Sequence, residues 1–327
     1  MNALPLLNLP ILAIQNVLNN LNVLEIIDFS LCSKKCEQIV QSRKQVFTGI
    51  DIDVKYGYKS VWLKKKDQIC GYWQFSNHKL PQNVEKKFRT IDGVQFQILT
   101  KFGNQGFCYN LQPEIAYVKF SRFLKELFRC EIGNATIHRE SIEYLSKMTK
   151  LIRNCENLDF TSHFTNIEDY RMFLETMKSM RTAKIRLYSN SDFEYENEQI
   201  FKCDHLELSS GIWIKRQHLI NMDLSTAVIN STKLSESDLI QFVKHWMRSD
   251  SLKFKFLVTG YDLFAERERD FQGLPILEKS DHRRSQHYQL PHKNLDCSNG
   301  YDIRRSDGVF GTMVFDKWTF YFVVWHE

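Results

Sequence analysis

A strand pattern followed by a helix pattern recurs along residues 134–257, and this repeat constrains the fold more than any other feature of the chain. Successive strand patterns lie about 21 to 27 residues apart. One strand and one helix cannot bury their apolar faces until neighbouring units stack on them, so the repeat predicts a solenoid-like α/β array. The predicted strands centre on residues 134–137, 158–160, 185–187, 206–208, 228–230 and 254–257.

Helical patterns fill the intervals between these strands, and Ser235 with Asp238 forms an S-x-x-D capping box before the last helix. The consensus Leu and Asn positions of leucine-rich repeats are mostly absent, so we expect a degenerate, leucine-rich-repeat-like array. Alternating residues at 301–325, with turns at 306–308 and 316–317, predict antiparallel strands that cap the array. The predicted helices contain Ile142, Leu145, Met148 and Ile152; Ile167, Tyr170, Phe173 and Met177; residues 218–222; and Leu239, Phe242, Val243 and Trp246.

Residues 49–111 follow a different pattern, in which apolar side chains alternate with polar ones. Short runs of this kind between turn residues predict an antiparallel β-meander. Pro113 suits the first position of a helix whose inward residues run from Ile115 to Phe128. The expected fold class is therefore mixed α/β (α+β), with N-terminal helices, a β-rich middle segment and the repeat array.

The first 42 residues contain three short amphipathic helical patterns. Asn22 and Glu25 form a capping-box pair before the second helix, and Ser33 can cap the third. Helices this short bury too little surface to be stable alone, so they need the rest of the chain or a partner. The apolar face of the first helix consists of Ile14, Val17, Leu18 and Leu21.

The order of these residues resembles an F-box. The resemblance implies three helices that dock on a Skp-type adaptor and, through it, on a cullin. The alternative is an ordinary helical subdomain that packs only on its own chain. The matching residues are Leu9-Pro10, Val17-Leu18, Leu21, Glu25-Ile26-Ile27, Ser30 and Ser33-Lys34-Lys35. The adaptor-binding residues that the resemblance implies are Leu9, Pro10, Ile14, Val17, Leu18, Leu21, Leu24, Ile27 and Leu31.

A second block, from about residue 206 to 325, is similar to the F-box-associated type 2 domain of the large nematode F-box protein family. The matching segments are HLELSSGIWIKRQHLINMD, AVINSTKLSESDLIQFVKHWMRSDSLKFKFLV, YDIRRSDGVFGTMVF and FYFVVW. This resemblance implies a domain that binds a target protein. We expect an F-box at 1–47, a β-meander with a connecting helix at 48–128, and at 129–327 the array that includes the F-box-associated domain.

Composition and motifs argue against several other functions. The sequence has no G-x-S-x-G, no phosphate-binding Gly loop, no H-E-x-x-H and no Cys-His signature. Its net charge of +5 is dispersed, which argues against nucleic-acid binding. The short basic runs Lys64-Lys65-Lys66 and Arg283-Arg284 indicate solvated loop or strand-edge residues. Eight cysteines without a C-x-x-C pair indicate a reducing compartment. His282, His287 and His292 lie in a polar stretch and are expected on the surface rather than at a metal site.

We therefore expect a non-catalytic substrate-recognition subunit of an SCF-type ubiquitin ligase, with no metal and no cofactor. Holding a target near a charged conjugating enzyme raises its effective concentration without any reactive group in this chain. The alternative is a protein-interaction scaffold with no ubiquitin-ligase role. Because no window is apolar enough to cross a membrane, we expect a soluble intracellular protein, cytoplasmic and/or nuclear. The substrate-binding residues and the target are unknown from the sequence.

Overall fold

The structure is a computed structural model, and the chain divides into two compact units, Met1–Asn157 and Leu158–Glu327. N-terminal helices precede a strand-rich α/β body, which confirms the mixed α/β class expected from the sequence. The described residues are 6–44, 46–55, 58–66, 68–78, 87–101, 105–138, 142–162, 171, 173–175, 180–187, 194–196, 201–261, 271, 273–278 and 284–326.

The first unit combines five described helices with a sheet whose strand order is β7-β1-β2-β3-β6-β5-β4. A single 3-10 turn, Leu6–Asn8, precedes the first helix. The helices are α1 (Ile11–Asn19), α2 (Val23–Ser30), α3 (Lys34–Gln41), α4 (Pro113–Phe128) and α5 (Ile142–Ile152). The strands are β1 (Gly49–Lys55), β2 (Tyr58–Lys65), β3 (Gln68–Ser76), β4 (Lys87–Ile91), β5 (Val94–Lys101), β6 (Gln105–Tyr109) and β7 (Ile132–His138).

The middle segment differs from the predicted antiparallel meander in two ways. Strands β1, β2 and β3 pair antiparallel as expected, but β6 pairs with β3 in parallel. The intervening hairpin of β4 and β5 lies at the outer edge of the sheet, and β4 was not foreseen. Alternation of apolar residues predicts which side chains face the core, but it does not predict which strands become neighbours.

Helix α4 covers one face of this sheet with an aromatic cluster. Pro113 is in the first turn of α4, as predicted. The Phe120 ring lies 5.1 Å from the Trp73 ring and 5.3 Å from the Phe75 ring, centroid to centroid. Trp73 needs a neighbour without a side chain, because a Cβ atom at Gly106 would lie 2.6 Å from Trp73 Cδ1. The indole ring therefore occupies the space that a larger residue at 106 would fill.

The second unit contains a sheet in which β8 is followed by β9, β10, β11, β12, β17, β16 and β15. Strands β9 to β12 form a parallel ladder, and β17, β16 and β15 continue it antiparallel, as predicted for the C-terminal segment. Its strands are β8 (Asn157–Ser162), β9 (Thr182–Leu187), β10 (His205–Leu208), β11 (Thr226–Ile229), β12 (Phe256–Gly260), β15 (Tyr301–Arg304), β16 (Phe310–Asp316) and β17 (Thr319–Trp325). A separate hairpin consists of β13 (His287–Leu290) and β14 (Lys293–Asp296).

Two described helices of this unit, α6 (Arg216–Ile220) and α7 (Glu236–Arg248), match predicted helices. Another predicted helix, which contains Ile167, Tyr170, Phe173 and Met177, lies largely outside the described residues. Helix α7 packs on one face of the sheet, where the Trp246 ring lies 5.0 Å from the Phe322 ring. Tyr321 and Val323 flank Phe322 along β17, so their side chains point to the opposite face.

The predicted capping box of α7 is present. Ser235 Oγ accepts a hydrogen bond from the Asp238 backbone N–H at 3.2 Å, and the Ser235 backbone N–H donates to Asp238 Oδ2 at 3.0 Å. Burial alone would raise the pKa of Asp238, but the hydrogen bonds from Ser235 and the ion pair with Arg216 outweigh burial and lower it. The box therefore depends on an ionised Asp238.

The opposite face of the sheet is partly covered by the β13–β14 hairpin. Leu290, Leu295 and Cys297 pack there against a cluster that includes Phe256, Tyr321 and Val323. His287 and His292 are exposed, as predicted, but they lie in this hairpin and not in an irregular loop. Each strand of the hairpin has only four residues, which is too short a run for alternation to predict a strand with certainty.

The expectation that Arg284 is a solvated loop residue is wrong. Its side chain is 4% exposed, and its Nε atom donates to both carboxylate oxygens of Asp302 at 2.8 and 2.9 Å. Thr312 Oγ1 donates to Asp302 at 2.6 Å, and Trp325 Nε1 donates to Thr312 at 2.8 Å. A run of basic residues shows no period, so its sequence could not indicate that one member enters the interior. Arg283 lies outside the described residues.

Candidate functional site

Local hydrogen bonds define the ends of the N-terminal helices. Helix α1 begins after Pro10, whose backbone is extended at φ −54° and ψ 145°. Asn22 Oδ1 accepts from the Glu25 N–H at 3.0 Å, and Glu25 Oε2 accepts from the Asn22 N–H at 2.8 Å, which confirms the predicted capping box. Ser33 Oγ accepts from the Cys36 N–H at 3.2 Å and caps α3 as predicted. The N-caps of α2 and α3 are therefore the predicted ones, whereas Leu21, which the sequence placed in the first helix, lies beyond the end of α1 at Asn19.

The predicted apolar face of α1 divides into interior and surface residues. Ile14 is 2% exposed and Leu18 is 0% exposed, so both belong to the core. Val17 is 38% exposed, and at the start of the helix Ile11 and Leu12 are 47% and 70% exposed. Residues at i and i+3 share a helical face only approximately, which explains why neighbours in one sequence pattern have such different exposure.

The remaining members of the predicted adaptor-binding set are mostly half-buried. Ile27 is 3% exposed and packs in the interior of the helices with Ile26. Pro10 is exposed. A side chain in the core has no surface left for a partner, so Ile14, Leu18 and Ile27 act as packing residues in this conformation. The half-buried residues of the set are Leu9, Leu21, Leu24 and Leu31.

The helices pack on the rest of the first unit through an ion pair and an aromatic pair. Arg89 of β4 donates to both oxygens of Asp28 on α2, with Nε at 2.6 Å and Nη2 at 2.5 Å. This hydrogen bond to Asp28 is the main reason that the pKa of Arg89 is raised. The Phe47 and Phe128 rings meet edge to face with centroids 4.6 Å apart. The Arg89–Asp28 pair was not predicted from the sequence, because β4 itself was not predicted.

Burial lowers the reactivity of several cysteine thiols. Burial is the main cause that raises the pKa of Cys130, Cys155 and Cys203 to about 12, so these thiols stay protonated and are poor nucleophiles. In the part of the chain that the structure describes, no three His, Cys, Asp or Glu side chains are placed to hold a metal ion. Within the same residues no helix combines the length and apolar character needed to cross a membrane.

Two family models match the chain. The F-box domain model matches residues 6–47, the segment that forms α1, α2 and α3. A second model, described as F-box associated, matches residues 194–258. This match includes β10, β11 and most of β12 with α6 and α7. The sequence resemblance was expected to cover residues 206–325. Together the matches place an F-box in the first unit and an F-box-associated segment in the second.

Curated relatives come from Caenorhabditis elegans. The uncharacterized protein F59B2.9 is 25% identical over 344 aligned residues, which cover 98% of this chain and 79% of the relative. The uncharacterized protein F59B2.8 is 23% identical over 354 residues, which cover 99% of this chain and 78% of the relative. The E3 ubiquitin-protein ligase hecw-1 is 35% identical over 79 residues, only 24% of this chain and 6% of that protein.

No solved structure matches the chain. The two domain matches agree, because both models describe segments of F-box proteins. An F-box domain implies binding to a Skp-type adaptor within an SCF ubiquitin ligase, and an F-box-associated domain suggests target binding. The chain therefore contains an F-box match and an F-box-associated match and is similar to proteins of Caenorhabditis elegans, which is consistent with a nematode F-box protein.

Proposed function

We propose that the chain is the substrate-recognition subunit of an SCF-type ubiquitin ligase. Its F-box docks on a Skp-type adaptor and through it on a cullin, and its C-terminal domain binds the protein to be ubiquitinated. The observation that carries this proposal is the F-box match at residues 6–47, which coincides with a folded three-helix segment that keeps apolar side chains on its surface.

The exposed apolar residues of α1 are the first candidates for adaptor contact. Pro10, Ile11, Leu12 and Val17 are accessible, while Ile14 and Leu18 hold the helix on its core. Apolar side chains that leave water on binding stabilise a complex by about 1.5 to 3 kcal/mol each when fully buried. From the predicted set we therefore keep Pro10 and Val17 as direct contacts. The half-buried residues of the set lie at the edge of the proposed contact surface: Leu9, Leu21, Leu24 and Leu31.

The proposed mechanism is proximity. A receptor that holds a lysine of its target near a charged conjugating enzyme raises the effective concentration of the reacting groups. The chain itself is proposed to be non-catalytic, with no cofactor, and to act in the cytoplasm and/or nucleus. The short match to hecw-1, which is named as a ubiquitin-protein ligase, supports a connection to the ubiquitin system.

The finer architecture is also a proposal. We infer that residues 129–327 form a degenerate leucine-rich-repeat-like array, after an F-box at 1–47 and a connecting region at 48–128. The parallel ladder of β9, β10, β11 and β12, with α6 and α7 in the intervals, supports this architecture.

Adaptor binding tests the proposal directly. The full chain is produced with a Skp-type adaptor, and the dissociation constant is measured by isothermal titration for the wild type, Val17→Asp and Leu12→Glu. We expect each variant to weaken binding by about tenfold or more, because a charge enters an apolar contact. Both positions lie outside the core, so folding should persist, which circular dichroism checks.

Leu252→Asp is the matched control, since Leu252 is an equally exposed leucine of the second unit, 68% exposed against 70% for Leu12. It should bind the adaptor like the wild type. If folded Val17→Asp and Leu12→Glu both keep wild-type affinity, the contact surface is wrong. If the wild-type chain binds neither adaptor nor cullin, the ligase role is wrong and the scaffold function is favoured.

A further inference from the structure

The sheet of the second unit has one face that the described helix α7 does not cover. Side chains alternate along each strand, and those opposite to α7 form a mixed polar and apolar row across β9 to β12. Their residues are Lys184, His205, Glu207, Thr226, Val228, Phe256 and Val258. The β13–β14 hairpin packs on the part of this face around β12 and β17. Lys184, His205 and Glu207, on the strands farther from the hairpin, are half-buried.

A cavity of about 450 Å³ lies where the hairpin ends. Its floor is formed by strands β9 to β12, and residues 290–293 of the hairpin form one wall. Its surface is largely apolar, with Val228, Val258 and Leu290 among the lining residues. This volume falls within the size range of sites that bind small ligands or anchor side chains. The cavity can hold one or two large apolar side chains.

The rim of the cavity carries one positive charge that no described carboxylate balances. Lys184 and Glu207 pair with each other at 2.6 Å, so together they add little net charge. Lys293 Nζ donates to Tyr321 Oη at 2.9 Å and lies 4.5 Å from the centre of the Tyr321 ring. Of the carboxylates among the described residues, none is within ion-pair distance of Lys293. The rim therefore presents a cation beside an apolar cavity.

We propose that this cavity receives an apolar side chain from a segment of the target protein that carries an Asp or Glu next to it, with Lys293 facing the acidic residue. The inference rests on the proposed role of the second unit in target binding. The apolar side chain supplies burial, while the acidic neighbour selects the segment by charge complementarity with Lys293. The exposed side-chain amide of Asn230, at the edge of the cavity, is available to the backbone of the segment.

Peptide selection tests this inference. A library of random peptides displayed on phage is selected against the purified full chain, and enriched peptides are synthesised for fluorescence anisotropy. We expect the enriched peptides to share an apolar residue beside Asp or Glu. Val228→Phe should weaken their binding by about tenfold or more, because the larger side chain fills the cavity. Asn230→Phe places a large side chain at the edge of the same cavity and is the variant to measure if Val228→Phe does not fold.

Charge reversal supplies the second arm. Lys293→Glu should weaken binding of the acidic peptides, and selection on that variant should enrich Lys or Arg next to the apolar residue. Lys317→Glu is the matched control, because Lys317 also lies over an aromatic ring, 5.8 Å from the Trp318 ring centre, in a surface turn away from the cavity. It should leave affinity and preference unchanged.

The inference is overturned if no enriched peptide is sensitive to the cavity-filling variants, or if the wild type shows no preference for an acidic neighbour. Adaptor binding of the same variants is measured separately. If the chain selects peptides as expected but binds no adaptor, the cavity proposal is supported and the ligase proposal is refuted. If the chain binds the adaptor but selects no such peptides, the cavity proposal is refuted and the ligase proposal is supported.

Discussion

Replacing Asp302 with Ala removes the acceptor at the centre of the buried polar network in the second unit. The Asp302 side chain is 1% exposed and the Arg284 side chain is 4% exposed. Without the carboxylate, the Arg284 guanidinium stays in the interior with backbone carbonyls, such as that of Cys297, as its remaining acceptors. Thr312 also loses the oxygen to which it donates.

Removing one partner of a buried ion pair costs about 3 to 5 kcal/mol, because the other charge remains desolvated. We therefore expect Asp302→Ala to lower the free energy of unfolding of the second unit by that amount. For a unit of this size the melting temperature should fall by roughly 6 to 20 °C. Urea unfolding followed by circular dichroism and scanning calorimetry measure the two quantities.

Glu194→Ala is the control for this measurement. Glu194 pairs with Lys215 at 3.2 Å, but the two side chains are 70% and 55% exposed. Pairs of this kind contribute between 0 and about 1 kcal/mol, so the control should remain close to the wild type. If Asp302→Ala lowers the free energy of unfolding no more than Glu194→Ala does, the buried pair does not stabilise the fold and the prediction is wrong.

Further predictions concern a cap, a tight contact and the thiols. The pKa of Asp238 is lower in the folded chain than its unfolded value of about 3.8, so the ionised carboxylate stabilises the fold above that pH. This stabilisation is lost as the pH falls through the folded-state pKa. Between pH 7 and pH 3, the free energy of urea unfolding should therefore fall more steeply for the wild type than for Asp238→Asn. Gly106→Ala forces its Cβ against Trp73 and should lower the free energy of unfolding by about 1 to 3 kcal/mol, whereas an unchanged midpoint would show that the ring can move away. In the folded chain iodoacetamide should modify Cys32 and Cys70 far faster than the buried thiols, as read by mass spectrometry before and after denaturation, and equal rates would contradict the burial described here.

Local features of the fold were accessible from the sequence because they depend on residues close together in the chain. The capping boxes at Asn22 and Ser235 are examples, since each requires only a side-chain acceptor and an acidic residue three positions later. The turns at 306–308 and 316–317 were predicted for the same reason. Such features need no knowledge of which elements become neighbours.

Features that depend on distant contacts were missed. The burial of Arg284 depends on Asp302 and on the carbonyl of Cys297, and a basic residue in a polar stretch gives no sign of either. The parallel pairing of β3 with β6 depends on where the β4–β5 hairpin goes. In the candidate site, helical spacing grouped Val17 with Leu18, although only the packing of α1 decides which of them reaches the surface.

The contact between Phe47 and Phe128 determines when the F-box segment can complete its packing during synthesis. The three F-box helices leave the ribosome before α4, but Phe47, which follows them, packs against Phe128, the final residue of α4. Arg89, the partner of Asp28, also emerges after them. A nascent chain that stops within the β-rich segment therefore presents an F-box with an unfinished interior. If the chain docks on an adaptor as proposed, adaptor capture is coupled to completion of the first unit, and chains aborted early compete poorly for the adaptor.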